Sequence, residues 1–230
     1  MYQEGGRAIL GWGGGPSFTV FKNTMNRGLT GSFDTDAAAR VSKAVSSLLA
    51  GERVLFTFTD RTTALRAALA FSKENTSFWR PWNQEGIDWR TVNAVIIVPP
   101  LPWASPLFFV AVKPESVDSY AASGMAVPES ARIPAALAAA VSRSIYDMIA
   151  ALQFREEKNW FSYDTVLTKY WTRKGPYLYP KTGEEQYGAF ILHCLDCELV
   201  VSPDYNVPSI VPFGADKGVF TKLKNSPFEV

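Results

Sequence analysis

The most reactive residue types of this sequence lie together in the run His193-Cys194-Leu195-Asp196-Cys197-Glu198. Two cysteines three residues apart are typical of a redox pair or of half a zinc site. The apolar pattern of residues 188–201, however, predicts a β-strand, in which residues three apart lie about 10 Å apart on opposite faces. A disulfide needs Cα atoms within about 7 Å, and a zinc site needs two more ligands, whereas the sequence has no other Cys or His. Unless a turn interrupts the strand, we interpret both cysteines as buried small hydrophobic residues and expect no metal and no cofactor.

The same predicted strand gives His193 and the two carboxylates different faces. His193 falls on the apolar face, which favours a hydrogen-bonded core histidine. As the single histidine of the chain, it would have to serve any Ser-His-Asp or Cys-His mechanism. Asp196 and Glu198 share the opposite face, where a solvated surface is the favoured interpretation. The alternative is a carboxylate pair that binds a divalent cation or works as acid and base.

Asp60 and Arg61 directly follow a predicted strand at 54–58 and open a predicted helix. Carboxylates at the carboxyl ends of strands often serve α/β enzymes. An aspartate at this position can also simply cap the helix, which is the interpretation we favour.

The glycine-rich run 11–16 predicts a hairpin between β-type runs at 7–10 and 17–21. It does not predict a phosphate loop, because no Gly-Lys-Ser/Thr motif occurs in the chain.

Tryptophan and arginine are concentrated in residues 78–90, which we call the tryptophan-rich segment. Its side chains can stack on bases or sugars, form a protein–protein hot spot, or fold onto their own domain as a satellite core. Trp103, in a proline-rich link, is expected to join the same surface. The candidate contact residues are Trp79, Arg80, Trp82, Trp89, Arg90 and Trp103.

The last 29 residues, 202–230, form a proline-rich and apolar stretch that we call the C-terminal arm. Prolines keep such a chain extended or turning. An extended arm cannot bury its own apolar groups, so it must lie either on its own domain or on a neighbouring subunit. Its candidate contact residues are Tyr205, Phe213, Phe220 and Phe228.

Charge and composition exclude several classes of protein. Lys and Arg number 23 against 22 Asp and Glu in 230 residues, which argues against a dedicated nucleic-acid binder and against attraction to an anionic membrane. Neither a signal peptide nor an uninterrupted apolar stretch of about 20 residues is visible. Two cysteines fit a reducing interior, so we expect a cytoplasmic protein, or a virion component.

The elements predicted around these residues are interspersed helices and strands. Helices are expected near 36–50, 62–72, 115–123, 134–152 and 162–171. The apolar runs 92–98 and 107–112 predict strands that pair antiparallel, because the link between them is too short for a helical crossover. We predict an α+β fold, with a mainly antiparallel mixed sheet packed by about four to five helices. One domain is expected over 1–201, followed by the C-terminal arm.

No constellation in the sequence has the spacing that a known reaction requires. The favoured hypothesis is therefore a non-enzymatic structural or interaction subunit of a larger oligomeric assembly, such as a viral capsid or a multisubunit shell. Its partners would be other protein subunits, of the same or a different chain, contacted through the tryptophan-rich segment and the C-terminal arm. The alternative is a cytoplasmic enzyme or small-molecule-binding domain. That domain would use Asp60, Arg61, His193, Asp196 and Glu198.

Overall fold

The structure, a computed structural model, describes residues 7–11, 15–30, 36–83, 86–103 and 106–229. The α-helices of these residues are α1 (Gly15–Asn26), α2 (Asp36–Leu48), α3 (Arg61–Phe71), α4 (Pro114–Ala122), α5 (Ala135–Phe154), α6 (Asp164–Tyr170), α7 (Glu184–Asp196) and α8 (Thr221–Asn225). The strands are β1 (Val54–Phe58), β2 (Thr76–Phe78), β3 (Ala94–Ile97), β4 (Phe108–Val112), β5 (Trp171–Lys174), β6 (Tyr177–Pro180) and β7 (Ser209–Ile210). Two 3-10 helices span Glu157–Tyr163 and Lys217–Phe220.

The chain divides into two compact units, each with its own sheet. The four-stranded unit comprises residues 13–80 and 86–150, and the three-stranded unit comprises residues 1–12, 81–85 and 151–230. Helices and mixed sheets together confirm the predicted α+β class. The C-terminal arm belongs to the three-stranded unit, while the predicted domain division at 201/202 stays a prediction.

The four-stranded sheet has the order β1-β4-β3-β2. β4 is antiparallel to both of its neighbours, whereas β2 and β3 are parallel. The predicted antiparallel pairing of the two apolar runs is thus confirmed, with Ala94 opposite Val112. Every residue of β3 is buried, as its continuous apolar sequence predicts for a strand covered on both faces.

Helix α3 connects β1 to β2 and covers one face of this sheet. Its alanines Ala64, Ala67 and Ala68 are buried against the strands, and small side chains let a helix approach a sheet closely. At the end of the helix, the Phe71 ring stacks on Phe56 of β1 with centroids 4.9 Å apart, within the range at which aromatic pairs attract.

Helix α5 is long and apolar enough to cross a membrane by length and composition, and 56% of the span is buried inside the protein. Its fully buried Val141, Ile145 and Met148 follow the helical spacing that predicted this element from the sequence. Such burial is typical of a core helix.

The three-stranded unit has the sheet order β5-β6-β7, in which both pairs are antiparallel. Its core is aromatic: Trp160, Trp171 and Phe190 are almost wholly buried. The same unit holds a buried arginine: the Arg173 side chain is 4% exposed and bridges Glu157 and Asp164. Arg173 therefore has two carboxylate partners, as a buried cation requires.

A close backbone approach holds residue 82 against the turn between β5 and β6. Trp82 adopts φ 64° and Gly175 adopts φ 55°, both in the left-handed region that favours glycine. A Cβ at position 175 would lie 2.8 Å from the Trp82 Cβ, so no other residue fits there without movement. The Trp82 indole N–H donates to the Arg155 carbonyl at 2.8 Å, and its ring packs on Trp160 at 5.0 Å.

Three segments differ from the sequence predictions. Residues 7–10, predicted as the first hairpin strand, form a turn. Residues 17–21, predicted as a hairpin strand, lie in helix α1, and residues 12–14 of the predicted turn lie outside the described residues. Residues 188–196, predicted as part of a long strand, lie in helix α7. In that helix the buried residues Tyr187, Phe190 and Cys194 are spaced by three and four, which places them on one helical face.

Candidate functional site

One edge of the four-stranded sheet collects the carboxyl ends of three strands. β1, β2 and β3 run in the same direction and β4 runs against them. The segments after Phe58, Phe78 and Ile97 therefore meet at this edge, which we call the carboxyl edge. In open, mostly parallel α/β sheets, ligands bind outside the carboxyl ends of the strands, and three of the four strands here end on this side.

Asp60 lies at the carboxyl edge and caps helix α3. Its Oδ1 accepts a hydrogen bond from the Thr63 N–H at 2.7 Å, which confirms the predicted N-cap. Hydrogen bonds from Thr63 lower the pKa of this exposed carboxyl, so Asp60 is ionised at neutral pH. No acidic residue stands in the first turn of α3, which begins with Arg61.

Two arginines flank one aromatic ring at the same edge. The guanidinium carbon of Arg61 lies 5.0 Å from the centroid of the Phe78 ring, and that of Arg80 lies 5.4 Å from the same centroid. Both side chains are half-buried. Arg61 was predicted beside Asp60 and Arg80 in the tryptophan-rich segment, because the contact of both with the Phe78 ring depends on the fold.

The histidine and the two carboxylates near the end of α7 do not share the geometry that a strand predicts. His193 Nε2 lies 2.8 Å from the carbonyl oxygen of Ser226. Asp196 is the last residue of α7, whereas Glu198 lies in the following turn with φ 63° and forms an ion pair with Lys222. The predicted common face for Asp196 and Glu198 is therefore wrong, because a helix end and a turn replace the two-residue period of a strand.

The cysteine geometry also differs from the strand prediction. Positions 194 and 197 lie at the end of a helix, where residues three apart are neighbours. Burial nevertheless raises the pKa of the Cys194 thiol to about 12 and raises that of Cys197. Both are free thiols, and the raised pKa values favour the protonated form of each. Among the described residues, no group of three or more His, Cys, Asp or Glu side chains could hold a metal ion.

The tryptophans of the tryptophan-rich segment are all buried or half-buried. Trp79 is buried, and Trp82 and Trp89 are half-buried. Arg90 is exposed and pairs with Asp88, with 2.9 Å between Nη2 and Oδ2. Trp103 is half-buried against Phe18 and Phe21 of α1.

The C-terminal arm contributes to the core of the three-stranded unit. Phe220 is 3% exposed and meets Tyr163 edge-on at 5.6 Å. Tyr205, Phe213 and Phe228 are partly buried against the same core. Whether these residues and the tryptophan-rich segment also contact other subunits stays a prediction, as does the cytoplasmic location.

A cleft of about 620 Å³ lies at the opposite edge of the four-stranded sheet and was not predicted. Arg53, before β1, lines it and is 4% exposed. Its guanidinium donates to the carbonyls of Trp89 at 2.5 Å and Val92 at 2.6 Å, while its Nε has no acceptor. Lys113, after β4, lines the same cleft and directs its Nζ to the Thr91 carbonyl at 3.4 Å. Arg53 mainly ties residues 89–93 to the start of β1.

Comparison with known proteins identifies one distant relative by sequence and several solved structures with a similar fold. No protein-family model matches the chain. An uncharacterized protein of Treponema pallidum (strain Nichols) is 24% identical over 257 aligned residues, covering 92% of this chain and 82% of that protein.

Solved structures of enzymes share the fold at low sequence identity. A serine palmitoyltransferase variant from S. paucimobilis, with a bound PLP–myriocin aldimine, has a TM-score of 0.64 at 8% identity, covering 98% of this chain and 87% of that chain. Acetylornithine aminotransferase from Elizabethkingia anophelis has a TM-score of 0.59 at 9% identity and 96% and 86% coverage. Phosphoserine aminotransferase from Cytophaga hutchinsonii has a TM-score of 0.56 at 8% identity and 93% and 96% coverage.

These likenesses correct the favoured functional hypothesis. The expected structural subunit of a capsid or shell is wrong, because the three solved structures that share this fold are of pyridoxal phosphate (PLP)-dependent enzymes. The hypothesis failed because it inferred an interaction protein from the absence of a recognisable catalytic motif. The alternative of an enzyme or small-molecule-binding domain agrees better with the fold.

Proposed function

We propose that this chain is a small-molecule-binding domain whose ligand carries a phosphate group, held at the carboxyl edge of the four-stranded sheet by Arg61 and Arg80. The likeness to ligand-binding enzymes over nearly the whole chain supports a binding role. The placement of both arginines around Phe78, at the edge where such sheets bind ligands, carries the proposal.

Electrostatics at the start of α3 favour an anionic ligand. The N-terminus of a helix carries partial positive charge and normally has acidic residues in its first turn. Here the first turn begins with Arg61 instead, and Arg80 brings a second positive charge to the same ring. A phosphate at this edge would accept charge-assisted hydrogen bonds from both guanidinium groups.

Calorimetric titration with pyridoxine 5′-phosphate tests this site. This probe carries a ring and a phosphate but no aldehyde. We expect the parent protein to bind it and the Arg61→Gln/Arg80→Gln double variant to bind at least about tenfold more weakly, because two charge-assisted hydrogen bonds are lost. Pyridoxine without the phosphate should also bind more weakly than the phosphate ester.

Arg40→Gln is the matched control, since Arg40 is an exposed arginine of α2 in the same unit. This variant should bind the probe as the parent does. Equal binding by the double variant and the parent would refute the site, and failure of the parent to bind the probe would refute the function.

A further inference from the structure

We infer that this chain has the fold of PLP-dependent enzymes without a lysine that could tether the cofactor, so that any PLP it binds is held without a covalent bond. The inference deepens the proposed function, on which it rests for the choice of the carboxyl edge. It separates this chain chemically from the enzymes whose fold it shares.

A tether makes definite demands on a lysine. Its amine must condense with the aldehyde of the cofactor, forming a C=N bond and releasing one water. The amine must be neutral to attack, which enzymes achieve by removing the lysine from water or by placing another cation beside it. A tethering lysine is therefore buried or half-buried and faces the ligand.

The carboxyl edge offers no such residue. The segments that follow its three strands, and the one that leads into β4, cover residues 59–63, 79–80 and 98–107, and no lysine occurs in any of them. The link after β3 reads Pro99-Pro100-Leu101-Pro102-Trp103, which is rigid and apolar. Asp60, the carboxylate at this edge, is already occupied in capping α3.

The remaining lysines can be surveyed completely, because all eleven lie in the part of the chain that the structure describes. Only Lys113 is half-buried, and it follows β4, which runs against the other strands, so it lies at the edge opposite the candidate site. The ten exposed lysines are Lys22, Lys43, Lys73, Lys158, Lys169, Lys174, Lys181, Lys217, Lys222 and Lys224.

Among the exposed lysines, Lys22 lies on a helix whose side chains contact the segment after β3 at the carboxyl edge. Its helix, α1, packs Phe18 and Phe21 on Trp103, which follows β3. The Lys22 Nζ lies 5.9 Å from the centroid of the Phe18 ring, and Phe18 is itself 45% exposed. Lys22 is thus hydrated and lacks the enclosure that a tether needs.

Borohydride trapping tests the inference directly. PLP is incubated with the intact protein, hydride reduces any C=N bond to a stable secondary amine, and intact mass and peptide mapping locate the label. We expect incomplete labelling spread over several exposed lysines, and unchanged labelling when pyridoxine 5′-phosphate is added as competitor. One label per chain on a single lysine, blocked by that competitor, would overturn the inference.

Affinity gives a second, independent measurement. If no covalent bond forms, PLP and pyridoxine 5′-phosphate should bind with dissociation constants within about threefold of each other, a difference below about 1 kcal/mol. Lys22→Arg and Lys113→Arg should leave both constants unchanged, as should the control Lys43→Arg, at an exposed position of α2. A much tighter constant for PLP that one of the first two variants abolishes would overturn the inference.

The two proposals fail in different ways. If pyridoxine 5′-phosphate does not bind at all, the proposed function is refuted. The trapping experiment still shows whether one lysine forms a covalent bond with PLP. If it binds through Arg61 and Arg80 while one lysine is labelled stoichiometrically, the proposed function stands and only this inference is lost.

Discussion

Cys194 shows how enclosure determines the chemistry of a single residue. Its side chain lies in the aromatic core of the three-stranded unit and is fully buried. Burial raises the pKa of its thiol to about 12 and that of the nearby Tyr187 hydroxyl to about 12 as well. Both groups are therefore neutral in the folded protein at pH values where they ionise in water.

Stability should consequently fall at alkaline pH. The Cys194 thiol ionises near pH 9 when exposed and near pH 12 when folded, so unfolding releases its proton throughout this interval. Stability present below pH 9 is then lost as the pH rises towards 12. For this one group the free energy of unfolding should decrease by about 1.4 kcal/mol per pH unit.

Urea unfolding at successive pH values between 8 and about 11 measures this slope. The Cys194→Ala variant should be less stable at pH 8 because of the cavity, yet show a shallower decline with pH. Identical slopes for the variant and the parent would mean that the buried thiol does not titrate as its enclosure implies.

Single residues also show what sequence can predict about the candidate site. Asp60 was correctly predicted as a helix cap, because capping depends only on neighbours along the chain. The convergence of Arg61 and Arg80 on Phe78 was not predictable, since it needs the parallel pairing of β2 with β3 and the helix between β1 and β2. The sequence thus predicts interactions between residues close along the chain, but not contacts between residues that only the fold brings together.

At the scale of elements, continuous apolar runs predicted strands well and mixed patterns did not. Val54–Phe58 was predicted with its exact bounds, and β3 and β4 within a few residues. Helix α1 was missed because residues 17–21 are rich in aromatic and β-branched types, whose strand preference the tertiary structure overrides. The apolar residues of α7 fit both the two-residue period of a strand and the period of a helix, so the strand prediction for residues 188–196 was wrong.

Helix α7 can be tested at Gly188. In an exposed helical position, alanine is favoured over glycine by about 0.5–1 kcal/mol. Gly188 is exposed within α7, and a Cβ there would meet nothing within 4 Å. We therefore expect Gly188→Ala to raise the free energy of unfolding by this amount, as measured by urea denaturation.

Gly214→Ala is an informative comparison. That position is also open to a Cβ, but its φ of 72° is unfavourable for alanine, so the substitution should destabilise the protein. Destabilisation by Gly188→Ala instead would contradict a helix at this position.

At the scale of the whole molecule, the C-terminal arm is a structural part of its unit. Phe220 and Leu223 are buried in the core of the three-stranded unit, and Ile210 pairs with Tyr177 of β6. We expect Phe220→Asp to unfold this unit, because it removes a buried ring and leaves a carboxylate in apolar surroundings. Near-ultraviolet circular dichroism and amide hydrogen exchange would detect the loss.

Val219→Asp is the matched control for this substitution. Val219 is the preceding residue and is 40% exposed, so its carboxylate would stay hydrated and the fold should persist. If Phe220→Asp kept the native spectrum and altered only the molecular mass in solution, the arm would be a subunit contact instead of a core element.

The path of the polypeptide has a practical consequence for dividing this protein. The chain passes between the two units after residues 12, 80, 85 and 150, and the brief excursion at 81–85 delivers Trp82 to Trp160 and to the turn at Gly175. No uninterrupted gene fragment therefore encodes either half intact. A fragment beginning at residue 151 would lack the Trp82 indole that packs on Trp160. A fragment ending at residue 150 would contain Trp82 but not Trp160 or Gly175, which it contacts.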